Sequence, residues 1–150
     1  MLFIEDRKIL VLTDRREHCS VLMCMCQSKY SDDSVGLYIG GMKTKDLKES
    51  EGKSIIIGTY TLAHEGLDIP SLDSIILATP KSNIVQAVGR ILRETPGKQH
   101  NPLIIDVLDK WGPFFHQYKK REKYYLEAGF TINSSKKVIE ERRLMFLEDN

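Results

Sequence analysis

The sequence predicts a three-layer α/β domain built on a mostly parallel central sheet. Five short apolar runs rich in branched residues alternate with segments of helical periodicity, at the spacing of parallel crossovers. One run, Ile55-Ile56-Ile57, is continuous rather than alternating, as in a strand covered on both faces. A length of 150 residues suits one domain with a real core and is short for two.

The first strand falls at residues 9–13, Ile-Leu-Val-Leu-Thr, and Asp14 starts the connection to the next element. From 16 to 29, Cys19, Leu22, Met23 and Cys26 recur with the period of a helix face, which describes an amphipathic helix returning across the sheet. Ser31-Asp32-Asp33-Ser34 reads as a turn and residues 35–39 as the second strand. Gly40-Gly41 ends that strand where the backbone needs freedom or approaches another group closely. A short polar helix is expected over 44–49, a third strand over 54–58 and a fourth over 74–78, stopping before Thr79-Pro80. Ser82 or Asn83 can cap a helix running through Ile84, Val85, Val88, Ile91 and Leu92, which Glu94-Thr95-Pro96-Gly97 ends. The fifth strand covers 103–107. Phe114, Phe115, Tyr118, Tyr125 and Leu126 then mark one side of a helix over about 113–128.

Hydrophobic residues make up 41% and charged residues 29%, with 22 Lys and Arg against 21 Asp and Glu for a formal net charge of +1. That balance excludes a histone-like basic polymer and an acidic tail, while leaving room for a local cationic patch. Between Lys110 and Arg143, nine basic residues face four acids, a run best read as a solvated helix face, with a nucleic-acid or partner surface as the alternative. No apolar run approaches the ~20 residues of a membrane span, so no membrane partner is expected. The mixed charges of the first eight residues do not resemble a signal peptide, which favours an intracellular chain. Cys19, Cys24 and Cys26 lack paired Cys-x-x-Cys spacing and read as reduced thiols, so no metal site is expected there.

Two motifs fail on their context. Gly52-Lys53-Ser54 has the end of a phosphate loop, but the first glycine would fall at Leu47, and the triplet precedes a strand where a phosphate loop follows one. Ile104-Ile105-Asp106 has the form of a strand ending in a magnesium carboxylate, yet Val107 stands where a water-orienting glutamate would follow. Asp106 is better read as a loop cap or ion-pair member.

Two segments carry more. In Gly58 to Pro70, Thr59 and Thr61 follow a buried strand and can offer hydroxyls and nearby amides to a phosphate, while Gly66 frees the chain just before the carboxylate of Asp68. In Gln86 to Arg93, the residues Gln86, Arg90 and Arg93 share one helical side. Like charges one turn apart repel by a few tenths of a kcal/mol, and an anion between or opposite them is the natural compensation. Gly89 costs roughly 1 kcal/mol of helix propensity, which fits a position kept clear for close approach. Ion pairs with Glu65, Asp68 or Glu94 are the plainer alternative.

At these segments the chain resembles the second RecA-like lobe of superfamily 2 helicases, a fold like that of P-loop NTPases but without a phosphate loop of its own. The wording is most similar to the branch holding phage branch-migration, XPB-type and poxvirus-like transcript-release helicases. The resemblance covers residues 9–109: Thr13-Asp14-Arg15 matches the lobe's first core motif, Gly58 to Pro70 its motif V, and Gln-x-x-Gly-Arg-x-x-Arg at 86–93 its motif VI. It implies a lobe over residues 1–112, followed by a helical, basic extension over 113–150 packed on the same domain.

In that family Arg90 and Arg93 would be arginine fingers reaching the terminal phosphates of ATP, with Gln86 orienting the γ-phosphate or attacking water. Glu65, Gly66, Asp68 and Gly89 would complete the nucleotide-facing set, Asp68 bonding an arginine or a ribose hydroxyl. ATP and Mg²⁺ would be held mainly by an N-terminal RecA-like lobe of the same protein, so hydrolysis by these 150 residues alone is not expected. The resemblance places the nucleic-acid track at Thr13, Asp14, Arg15, Gly40, Gly41, Thr59 and Thr61, groups that position phosphates and carry no base-reading array. It implies an ATP-dependent DNA helicase or translocase, with an RNA helicase lobe or a non-catalytic binding module as alternatives. The setting would be cytoplasm, nucleus, a viral factory or a virion.

Overall fold

In a computed structural model, the residues described are 6–30, 32–65, 67–93, 96, 98–109 and 111–133. Residues 1–5, Ser31, Gly66, Glu94, Thr95, Gly97, Lys110, Lys136, Lys137 and the charged residues 140–143, all of which figured in the sequence reading, lie outside them.

The described elements run in the order β1 (Ile9–Thr13), α1 (Arg16–Gln27), a 3-10 turn (Asp32–Ser34), β2 (Val35–Tyr38), α2 (Thr44–Glu51), β3 (Ile55–Thr59), α3 (Tyr60–Glu65), β4 (Ser74–Leu77), α4 (Val85–Leu92), β5 (Leu103–Asp106) and α5 (Gly112–Glu127). The strands form one sheet in the order β2-β3-β1-β4-β5, with every neighbouring pair parallel. β1 sits at the centre, with Leu10 opposite Ile56 on one side and Ile75 on the other. All five of its residues are buried, as a doubly covered parallel strand requires.

Alternation along the strands sorts the core into two clusters. Leu10, Leu12, Ile56, Ile75 and Leu77 meet Tyr60 and Ala63 of α3, Ala87, Val88 and Ile91 of α4, and Tyr125 of α5. Ile9, Val11, Val35 and Ile57 meet Cys19, Leu22, Met23 and Cys26 of α1. Helices thus lie on both faces of the sheet and make the three layers. Each fully buried Leu or Ile contributes about 1.5–3 kcal/mol of transfer free energy, so these apolar runs are the main determinant of the layering.

Several expectations need correction. Residues 60–65, to which the sequence reading assigned no helix, form α3, with Tyr60 and Ala63 buried at helical spacing. Val85 and Leu92 do not pack inward; they are exposed, and Ala87 takes that role. Asn83 does serve the start of α4, its Oδ1 accepting from the Val85 amide at 3.3 Å. On α5, Leu126 is exposed, and the buried line is Tyr118, Arg121 and Tyr125. Cys19 and Cys26 pack against the sheet as expected, all three cysteines are free, and burial pushes the Cys19 and Cys26 thiols above their ordinary range. Lys53 is engaged by Asp33 at 2.6 Å and Glu49 at 3.8 Å.

Among the described residues no helix is long and apolar enough to cross a membrane.

Candidate nucleotide and nucleic-acid sites

Because every strand is parallel, the residues that follow β1, β2, β3 and β4 gather on one edge of the sheet. Ligands of open α/β sheets bind at that carboxyl edge. After β2 the chain turns through Gly41, whose φ of +86° suits glycine. A Cβ built there would lie 3.8 Å from the guanidinium Nη2 of Arg16, so the segments after β1 and β2 come together. Arg15 is exposed and Gly40 half-buried beside them. Tight parallel pairing brings β3 in as well: a Cβ on Gly58 would stand 2.7 Å from the carbonyl oxygen of Tyr38.

Three residues expected on the nucleic-acid track behave differently from that expectation. Thr13 is fully buried, and its Oγ1 shares a 2.7 Å hydrogen bond with His18 Nδ1, so its hydroxyl does not face the edge. Thr59 is likewise buried at the end of β3, and only Thr61, on the first turn of α3, is exposed. The Asp14 amide donates to Thr79 Oγ1 at 3.0 Å, and its carboxylate accepts from Lys81 at 2.9 Å. A carboxylate repels phosphate, so Asp14 meets an anion only across a cation.

Beneath this edge lies a buried ion pair that sequence reasoning missed. Arg121, counted there in a solvated basic run, is 1% exposed. Its Nε and Nη2 donate to the two carboxylate oxygens of Asp106 at 2.8 and 2.9 Å, and its Nη1 donates to the Lys81 carbonyl at 2.6 Å. The Tyr125 hydroxyl donates to Asp106 Oδ2 at 2.8 Å. Asp106 is therefore an ion-pair member, the second of the readings its position allowed. Tyr60 completes the assembly, donating to the Thr79 carbonyl at 2.9 Å, and burial holds the phenols of Tyr60 and Tyr125 well above their ordinary range. The signal that could have found Arg121 is its place between Tyr118 and Tyr125 on one face of α5.

The second group lies where α3 meets α4. Arg90 Nη2 donates to the carbonyl of His64 at 3.2 Å, and Arg93 Nη1 donates to Asp68 Oδ1 at 2.6 Å. Arg93 reaches Asp68 because the helix has already ended: its backbone, at φ −59° and ψ 117°, leaves the α conformation. The shared helical side expected for Gln86, Arg90 and Arg93 therefore holds only for the first two. The two arginines are instead met by His64 and Asp68. Gln86 and Glu65 are exposed nearby in the chain. A Cβ on Gly89 would meet nothing within 4 Å, so no described part of this chain makes the close approach that its glycine suggested.

The Arg93–Asp68 pair is exposed on both sides, 54% and 70%, and such pairs contribute about 0–1 kcal/mol. Arg90 is less satisfied: its Nε is buried with no hydrogen-bond partner, and so is Nε2 of His64. An orphaned donor of a cationic group fits an anion such as a nucleotide phosphate. The arrangement offers nothing comparable for magnesium, since no group of three candidate metal ligands gathers among the described residues.

The parallel five-stranded sheet with helices on both faces matches the fold of RecA-like helicase C-terminal domains. The C-terminal domain of the DEAD-box protein Dbp5 has this fold, superposing with a TM-score of 0.64 at 20% identity over 83% of this chain and 73% of that one. By sequence, the chain is 41% identical over 133 residues to protein L396 of Acanthamoeba polyphaga mimivirus, provisionally named an ATP-dependent RNA helicase; the match takes in 87% of the chain and 25% of L396. It is 31% identical over 134 residues to the similarly named QP509L of African swine fever virus (Badajoz 1971 strain), over 85% of the chain and 26% of that protein. It is 27% identical over 106 residues to the transcript termination protein A18 of Yaba monkey tumor virus, over 65% of the chain and 22% of A18. The chain thus spans about a quarter of the length of these relatives. No protein-family model matches it.

Proposed function

We propose that the chain is the C-terminal motor lobe of a viral ATP-dependent helicase acting on RNA. The observation that carries this reading is the convergence of Arg90 and Arg93 on residues 64–68, with one guanidinium nitrogen left unpaired. Arg90 and Arg93 stabilise charge on the transferring phosphoryl group of an ATP held mainly, together with Mg²⁺, by an N-terminal lobe. Gln86 orients the γ-phosphate or the attacking water. Phosphoryl transfer requires positioning and fixed positive charge rather than covalent participation by the protein, which two arginines and a glutamine can supply. Asp68 holds Arg93 between turnovers, and Glu65 and Gly89 line the closing surface. Gly89 keeps that surface bare where the other lobe arrives.

At the carboxyl edge, Arg15, Gly40, Gly41 and Thr61 grip the nucleic-acid backbone through a guanidinium, amides and a hydroxyl. Such groups position a strand without reading its bases, and binding then weakens steeply with salt. RNA is favoured over the DNA suggested by branch resemblance because the relatives L396 and QP509L carry RNA helicase names. Closure of the two lobes on ATP and reopening after hydrolysis would move the strand.

The test is nucleotide turnover by the intact helicase with Arg90→Ala and Arg93→Ala, each measured without nucleic acid, with single-stranded RNA and with single-stranded DNA. Loss of an arginine finger lowers kcat by about 10³-fold or more. Near-normal turnover in both variants defeats the assignment, and stimulation by DNA alone defeats the choice of RNA.

A further inference from the structure

Along the carboxyl edge the strand ends stand in the order β2, β3, β1, β4. The residues expected to grip a nucleic-acid backbone leave the first three. The fourth end, one strand spacing of about 5 Å past β1, carries Lys81.

Lys81 is held from several sides. Its ammonium lies 2.9 Å from Asp14 Oδ1 and 5.2 Å from the centroid of the Tyr60 ring. Its carbonyl accepts from buried Arg121 at 2.6 Å, and Arg121 is itself clamped by Asp106. Two residues earlier, Thr79 is fixed through its hydroxyl by the Asp14 amide and through its carbonyl by Tyr60. A lysine stem free in solvent loses considerable rotamer entropy when it binds, and much of that ordering is already done here.

We propose that Lys81 is a phosphate-contacting residue of the nucleic-acid track and that Asp14 is its resting partner, acting on the nucleic acid only through it. The ammonium has three donors, so it can bond Asp14 and a phosphate oxygen at once and place a cation between two anions. The Lys81 and Asp14 side chains are 36% and 46% exposed, and an ion pair that open is readily shared with a competing phosphate. Asp106 and Arg121 act as positioning residues by anchoring the loop that presents Lys81. The inference rests on the reading of this edge as a nucleic-acid surface and extends it by one strand.

The experiment measures binding of the full chain to a fluorescent single-stranded RNA homopolymer over 50–200 mM salt, for wild type, Lys81→Gln, Lys81→Arg, Asp14→Asn and the Asp14→Asn/Lys81→Gln pair. One phosphate contact contributes about 0.7 to the log–log salt slope of a single strand. Lys81→Gln should lower the slope by about that amount, so that its deficit against wild type shrinks about threefold from 50 to 200 mM salt. Lys81→Arg should keep the wild-type slope, and the loss from Lys81→Gln should persist in the Asp14→Asn background. Wild-type slope in Lys81→Gln, even with a lowered melting temperature, overturns the proposal and leaves Lys81 a structural latch. Disappearance of the loss in the Asp14→Asn background also overturns it, because the effect then came from baring a carboxylate. A wild-type chain that shows no salt-dependent binding refutes the nucleic-acid surface itself, an outcome distinct from both.

Discussion

Replacing Arg121 by methionine keeps most of the side chain's volume and removes its charge from the place where charge matters most to this fold. Arg121 is 1% exposed and the Asp106 side chain 11%, so the carboxylate left behind has little access to water. In the intact domain Asp106 accepts two bonds from Arg121 and one from Tyr125; the variant leaves only the last, and the Lys81 carbonyl also loses its donor. Removing one partner of a buried, hydrogen-bonded pair costs about 3–5 kcal/mol. At about 2–4 °C per kcal/mol for a chain of this size, the melting temperature should fall by about 6–20 °C. Urea denaturation of wild type, Arg121→Met, Asp106→Leu and the double variant would complete a cycle. The double variant should recover a large part of the loss, because it removes the orphaned charge as well as its partner. A loss under about 1 kcal/mol for Arg121→Met, or a double variant no more stable than the worse single one, would refute the reasoning.

Gly58→Ala should destabilise by about 1–3 kcal/mol in the same denaturation assay, since the added methyl meets the Tyr38 carbonyl at 2.7 Å and backbone cannot step aside cheaply. In an alkaline spectrophotometric titration, Tyr60 and Tyr125 should ionise only as the protein unfolds. The sign follows from linkage: above pH 10, the ordinary phenol value, the unfolded chain releases protons that the folded chain keeps, so stability falls as pH rises beyond it. Ionisation of Tyr60 and Tyr125 below the unfolding transition would contradict the burial assigned to them.

The parallel sheet was legible because two-faced burial writes itself as continuous branched runs, and Ile9 to Thr13 and Ile55 to Ile57 had no other good home. α3 was harder to see. Its six residues lie inside a stretch read for its phosphate-binding hydroxyls, and a Tyr60–Ala63 pair is too short a repeat to mark a helix. The Gln86-x-x-Gly89-Arg90-x-x-Arg93 spacing put Gln86, Arg90 and Arg93 on one helical side, which the structure keeps only for the first two. A helical projection cannot show that α4 stops before Arg93 or that Asp68 arrives to meet it. Arg121 was hidden by composition, because a buried arginine and a solvated one are the same letter within a basic run. Thr13 and Thr59 were misplaced for a related cause: a hydroxyl at a strand end can turn inward to a histidine or be covered by the next helix.

The most direct test of the central claim is a structure of the intact protein bound to a nonhydrolysable ATP analogue and single-stranded RNA. The account predicts that Arg93 has left Asp68, Arg90 has left the His64 carbonyl, and both guanidiniums bond phosphate oxygens contributed from the facing lobe. Both arginines still on residues 64–68, with the nucleotide phosphates bound elsewhere, would contradict it.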